Sequence, residues 1–154
     1  MHLSKTIDKK GPLADSGRGT LYIPKATAFE ASMDDTQKHR HYDLEDRTLR
    51  FAKDIIALVN LVTKTVPNLE ISKQLVRSAG SVGANYIEAN ESLGKKDFLM
   101  RIRISRKESK ESRYWLKLLM CGSELDGCRE KLVQESTELM KIFGAILRNA
   151  TNHG

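Results

Sequence analysis

The stretch Gln74–Leu119, QLVRSAGSVGANYIEANESLGKKDFLMRIRISRKESKESRYWLKLL, decides the fold. It reads as two long helices joined by a short turn at Ser92-Leu93-Gly94. At about 100° per residue, Phe98, Ile102, Ser105, Ser109, Ser112, Leu116 and Leu119 fall on one stripe. Their spacing alternates four and three, which is the seam of a packed helix bundle. Lys96, Arg103, Arg106, Lys107, Lys110, Arg113 and Lys117 fall on a second face. A third face carries Met100, Ile104, Trp115 and Leu118, interleaved with Asp97, Glu108 and Glu111. One apolar stripe joins a helix to its own bundle. A second, holding the only Trp, calls for another partner, and the basic face calls for water or an anion.

Working outward, helix three is expected over about Lys95–Cys121 and helix two over about Leu69–Glu91. In helix two, Ile71, Leu75, Ser78, Val82, Asn85 and Ala89 keep the same spacing, with Ala79, Tyr86 and Ile87 alongside. Gly80 and Gly83 each cost a helix about 1 kcal/mol relative to Ala. Opposite the small Ser105, Ser109 and Ser112, they suggest a tight crossing of helices two and three. Helix one, about Asp43–Thr65, gathers Leu44, Phe51, Ala52, Ile55, Leu58, Val59 and Val62 on one face. Pro67 reads as its terminator, because the residue before a proline is pushed out of helical geometry. Gly122 and Gly127 bracket a loop before helix four, which buries Leu132, Leu139, Phe143, Ile146 and Leu147 and runs to about Asn149. No strand-like alternation is present. The fold class is all-α, an antiparallel up-down-up-down four-helix bundle over residues 43–150.

Residues 1–42 differ in kind, with two of the three prolines and Leu21-Tyr22-Ile23 as their one apolar cluster. Too little apolar surface is present to offset ordering entropy, so this segment reads as a disordered, dispensable extension. Met33 offers an alternative start that would leave little more than the bundle.

Composition narrows the function. The chain has 154 residues and a net charge of +6, ample for one core without disulfide staples. Residues 95–117 hold nine Lys/Arg against three Asp/Glu, so the whole surplus lies on helix three. A surplus confined to one helix is a directed field rather than a general solubility charge. Cys121 and Cys128 form no Cys-x-x-Cys, and His2, His39, His41 and His153 lie outside the helices, so no metal or cofactor is expected. No apolar run approaches the ~20 residues of a membrane span, and no signal segment precedes the bundle, so a cytoplasmic protein is expected. Glu88 and Glu91 read as surface ion-pairing groups. The helix-three serines lack a histidine base, and Asn85 with Glu88 reads as a polar pair that bonds across helices. No catalytic residues are assigned, and the chain reads as a non-enzyme.

Arg77-Ser78-Ala79-Gly80-Ser81-Val82-Gly83-Ala84-Asn85, Ile87-Glu88-Ala89, Lys96-Asp97-Phe98, Lys107-Glu108-Ser109-Lys110-Glu111-Ser112 and Tyr114-Trp115-Leu116 carry a resemblance. Over about Leu49–Arg148 the chain resembles the bacterial four-helix proteins encoded in intervening sequences of large-subunit ribosomal RNA genes. That family includes accessory variability determinants of diversity-generating retroelements. This chain has Ser109 and Ser112 where relatives often carry Ala and Thr. The resemblance implies a homo-oligomer, a pentameric barrel with a basic surface, and in retroelement relatives a reverse transcriptase and nucleic acid as partners.

Together these readings give an oligomer that binds nucleic acid, RNA or RNA/DNA, through Lys96, Arg103, Arg106, Lys107, Lys110, Arg113 and Lys117. Met100, Ile104, Trp115 and Leu118 are the expected oligomer interface. The alternative is a scaffold whose basic face docks an acidic protein, a reverse transcriptase being one candidate.

Overall fold

The computed structural model describes residues 44–152, and the extension assigned to residues 1–42 lies outside them. Four helices and no strands occur among the described residues: α1 (Leu44–Leu61), α2 (Val66–Asn90), α3 (Lys95–Leu118) and α4 (Ser123–Asn152). Glu45 and Asp46 occupy the first turn of α1, where the helix dipole favours negative charge.

The boundary at Pro67 differs from the sequence reading. Helix α1 ends at Leu61, and Pro67 lies in the first turn of α2 rather than beyond the end of α1. A proline suits that position, because first-turn N–H groups have no intrahelical acceptor to lose. The Thr65 hydroxyl caps α2 by accepting from the Asn68 N–H at 3.3 Å. Asn68 is itself buried; its amide donates to Thr63 O at 3.0 Å and Met120 O at 2.9 Å. The Met120 N–H returns a bond to Asn68 Oδ1 at 3.0 Å, tying the first loop to the end of α3. A second boundary also moves. Gly127 lies inside α4 and does not border the loop, since the helix already starts at Ser123. Helix α3 stops at Leu118 rather than Cys121, and Arg129 of α4 donates to the freed Leu119 carbonyl at 3.2 Å.

Each helix meets its successor with numbers running in opposite senses. Asn90 donates to Glu45 at 2.7 Å while Gly83 faces Thr48, across α1 and α2. Ser105 bonds to Val82 and Ser112 to Ser78, across α2 and α3. Arg113 reaches Thr137, across α3 and α4. Helix α1 closes against α4 through Arg47, which pairs with buried Glu135, one bond being Nη2–Oε2 at 2.8 Å.

The core follows the predicted faces. Phe51, Ile55 and Leu58 of α1, with Val62 just past its end, are buried with Leu75, Ala79, Val82 and Ala89 of α2. Ile102, Leu116 and Leu119 join them, with Leu132, Leu139 and Phe143 from α4. Phe98, Ile146 and Leu147 pack at its margin, and Tyr86 tilts against Phe143 with ring centroids 5.8 Å apart. Ile87, expected beside this face, is exposed instead.

The tight crossing of α2 and α3 is made without the glycines. A Cβ on Gly83 would stand 2.9 Å from Thr48 Oγ1 of α1, and one on Gly80 would face open space. The serines meet Ser78 and Val82 instead, with Ser112 Oγ donating at 2.9 Å to Ser78 Oγ and Ser105 Oγ at 3.0 Å to Val82 O. Helical angle explains the difference. Gly80 and Gly83 lie well around α2 from Ser78 and Val82, on the side turned to α1 or outward.

Candidate nucleic-acid interface

Helix α3 has three environments, set by its 3.6-residue period. Its inner stripe, Ile102, Ser105, Ser109, Ser112, Leu116 and Leu119, is fully buried, as the spacing predicts. Buried hydroxyls need partners, and each has one. Ser109 donates to Ser105 O at 2.8 Å, a helical i−4 bond that leaves no hydroxyl exposed as a nucleophile.

The edge turned toward α2 collects the acids. Asn85 accepts from Arg101 Nη1 at 3.3 Å and donates to Ser81 O at 2.9 Å, so it does bond across helices. Glu88 lies 4.0 Å from the same guanidinium, and Asp97 lies 3.8 Å from Arg101 Nε. Trp115 donates from Nε1 to Glu111 at 3.2 Å and packs against the core of its own chain. Burial, and then the neighbouring Glu111 charge, raise the Glu108 pKa above its ordinary value.

The basic residues occupy the back of α3 and the edge toward α4. Lys96, Arg103, Arg106, Lys107, Lys110 and Lys117 are exposed, and Arg113 is half-buried. Arg113 Nη1 donates at 3.4 Å to the Thr137 hydroxyl of α4. Arg106 also leans on α4, its Nε lying 3.7 Å from the position a Cβ would take on Gly144. None of these seven side chains forms a salt bridge among the described residues. By contrast Arg47, Arg101 and Arg129 each meet a carboxylate. The cations therefore do two things. Arg106 and Arg113 frame the α3–α4 groove, while Lys96 and Lys107 are exposed on the outer back of α3, the face that also carries exposed Tyr114. One member of the set was not found from the sequence. Arg148 of α4 reaches the same Gly144 position at 3.4 Å from Nη1, and a single arginine near a helix end gives no periodic signal.

The four residues of the expected interface are divided. Met100 and Leu118 are open, at 46% and 43% exposure. Ile104 is half-buried, and Trp115 belongs partly to the internal packing, with Tyr114 edge-on to its ring at 5.0 Å. The sequence reading missed a second apolar surface. Leu49 and Ile56 of α1 and Leu69 and Ile87 of α2 are all exposed, and Gly80 lies on the Leu69–Ile87 side of its helix. Leu69 and Ile87 lie nearly opposite the core stripe of α2, and Leu49 and Ile56 about a third of a turn from that of α1, widely spaced positions that form no continuous apolar stripe.

Cys121 and Cys128 are free and half-buried, and burial pushes both thiols above their ordinary pKa, which favours the unreactive protonated form. Among the described residues no group of three or more His, Cys, Asp or Glu could hold a metal ion. No described helix is long and apolar enough to cross a membrane.

An all-α protein whose described residues form four helices, the third with a cationic edge that makes no salt bridge among them, is the class these observations define. Residues 40–147 match the family of 23S rRNA-intervening sequence proteins, and the chain belongs to that family. It is similar to a protein of unknown function from the S23 ribosomal protein family of Bacteroides thetaiotaomicron VPI-5482, known from a crystal structure. The identity is 34%, the match covers 68% of this chain and 98% of that one, and the TM-score is 0.58. None of the curated proteins matches the chain.

Proposed function

We propose that this chain is a non-enzymatic, cytoplasmic, homo-oligomeric up-down-up-down bundle that binds nucleic acid, RNA in particular, through the cationic edge of α3. The carrying observation is that seven cations stand on one helix with no salt bridge among the described residues, while acids on the same helix are turned to its other edge. Cations with no internal counter-ion are held for an external anion or for water, and phosphate is the commonest anion arranged along a line. From Lys96 to Lys117 α3 rises about 32 Å, taking 1.5 Å per residue, which spans several backbone phosphates. The family description, which refers to sequences within ribosomal RNA, supports RNA over other polyanions. Tyr114 is the aromatic beside these cations, so recognition rests on backbone and shape rather than base edges.

Assembly is supported by two exposed apolar surfaces of different composition, one on α3 and one on α1 and α2. Two unlike surfaces that fit one another form a head-to-tail contact, which closes into a ring when the rotation permits. Met100→Glu with Leu118→Glu should yield monomers of unchanged helicity by sedimentation, whereas Trp115→Ala should also lower stability because its ring packs on the core.

The test of binding is a filter titration of RNA and DNA at several ionic strengths. Changing Arg103, Arg106, Lys110 and Arg113 together to Gln should weaken binding on the order of a thousand-fold, with a shallower salt slope. Equal binding by both proteins, or none by the unaltered chain at low salt, would favour an acidic protein partner, a reverse transcriptase among the candidates.

A further inference from the structure

Gly144 is a buried residue of α4 with two guanidinium groups close over it. A Cβ built on it would stand 3.4 Å from Arg148 Nη1, 3.7 Å from Arg106 Nε and 3.8 Å from Arg106 Cζ. One arginine comes from α3 and the other from the last turns of α4, and both side chains are otherwise exposed. The two distances to one point bound the gap between the groups, bringing them within reach of a single bridging oxyanion. Like charges this close repel unless an anion sits between them. Among the described residues no carboxylate supplies that anion. Helix α4 has no Asp or Glu from Leu139 to Asn152, and Glu138, just before, is engaged by Lys141 at 3.0 Å. On α3 the acids Asp97, Glu108 and Glu111 all lie toward α2, while Arg103 and Lys110 lie one turn to either side of Arg106.

We infer that Arg106 and Arg148, converging over Gly144, form a clamp for one backbone phosphate of a bound nucleic acid, with α4 as the second wall of the binding groove. The inference rests on the nucleic-acid reading above and adds to it a specific subsite. Two guanidiniums offer forked donors to the two free oxygens of a phosphodiester, a geometry that a row of lysines does not provide. Glycine at position 144 keeps the floor of the notch low, and the two guanidinium groups lie over it. Seven residues away on both helices, Arg113 meets Thr137, which holds another guanidinium in the groove about 10 Å along it. The groove therefore presents two anchoring points along its length.

The experiment uses the full chain and three probes of matched length: an RNA hairpin, single-stranded RNA and duplex DNA. Arg148→Gln should weaken binding about ten-fold or more at fixed salt, the scale of a lost charge-assisted hydrogen bond, and lower the salt slope by about one phosphate. Lys53→Gln, the same charge change on exposed α1, should leave affinity near that of the unaltered chain. Gly144→Leu, which changes no charge, should cost as much as Arg148→Gln, because its side chain would push both guanidiniums apart. Gly144→Ala should bind nearly normally, since a methyl there makes only ordinary contact. The Arg106→Gln, Arg148→Gln double variant should lose less than the product of the single losses, the mark of two groups holding one ligand. Circular dichroism and sedimentation confirm that each variant folds and assembles. Full-strength binding by Arg148→Gln, with the four-fold α3 variant still defective, overturns the clamp and leaves the nucleic-acid reading standing. Lower thermal stability of Arg148→Gln at unchanged affinity also overturns it, assigning the arginine to the α4 dipole. Absence of binding by the unaltered chain overturns both.

Discussion

Along α3, the edge packed on α2 and the edge packed on α4 use polar residues in opposite ways. On the α2 edge the groups close on one another. Ser105 and Ser112 bond into α2, Arg101 meets Asn85, Glu88 and Asp97, and Trp115 meets Glu111. On the α4 edge the side chains are longer, all cationic, and none forms a salt bridge among the described residues. The first arrangement satisfies buried polar atoms and fixes the separation of two helices. The second leaves its charges to solvent or to an outside anion. The contrast separates residues that hold the fold from residues that face a partner, although both belong to one helix and share one period.

Substitutions can test the comparison. The largest effect on stability should come from a charge that is both paired and buried. Glu135→Ala would remove the buried carboxylate that Arg47 meets and should cost up to about 3–5 kcal/mol in urea unfolding. A much smaller loss would mean that pairing does not distinguish structural charges from displayed ones here. Next comes the closed edge itself. Ser112→Leu forces a large side chain between helices that touch through two hydroxyls and should cost about 1–3 kcal/mol, with RNA affinity unchanged in whatever fraction folds. Smaller still is the open edge. Arg103→Gln or Lys110→Gln should move stability by about 0.5 kcal/mol or less while reducing affinity, and a larger loss would show these cations to be structural.

The smallest effect is a pH dependence. The Glu108 pKa is raised above 4.5 in the folded protein, chiefly by burial and then by the Glu111 charge, so the folded state holds that proton more tightly than the unfolded one. Its ionised form is therefore a small penalty on folding that appears as pH rises through the carboxylate range. Glu108→Gln should melt slightly higher than the unaltered chain at neutral pH, and the gain should vanish below about pH 4.5. A gain that persists in acid would trace it to packing rather than ionisation.

The sequence by itself determined the helix count, the inner face of each helix and the position of the basic stripe. These depend on a repeat of 3.6 residues, which local order carries whatever the neighbours do. The four-three spacing of α3 therefore marks Ile102 through Leu119 as buried without any reference to α2. What only the tertiary structure decided is which residues of different helices meet. Gly80 and Gly83 looked suited to a crossing with α3, yet Gly83 meets Thr48 of α1 and Gly80 faces outward. The rotation of α2 about its own axis is set by its contacts with α1 and α3 together, not by its own pattern. Asn68 bonds to Met120 across 52 positions, and Glu135 finds Arg47 across 88. Neither belongs to a periodic apolar stripe. Arg148 joins Arg106 over Gly144 for the same reason. Such a meeting depends on the offset and tilt of two helices, and side-chain order along one chain does not encode them except through the packing it produces.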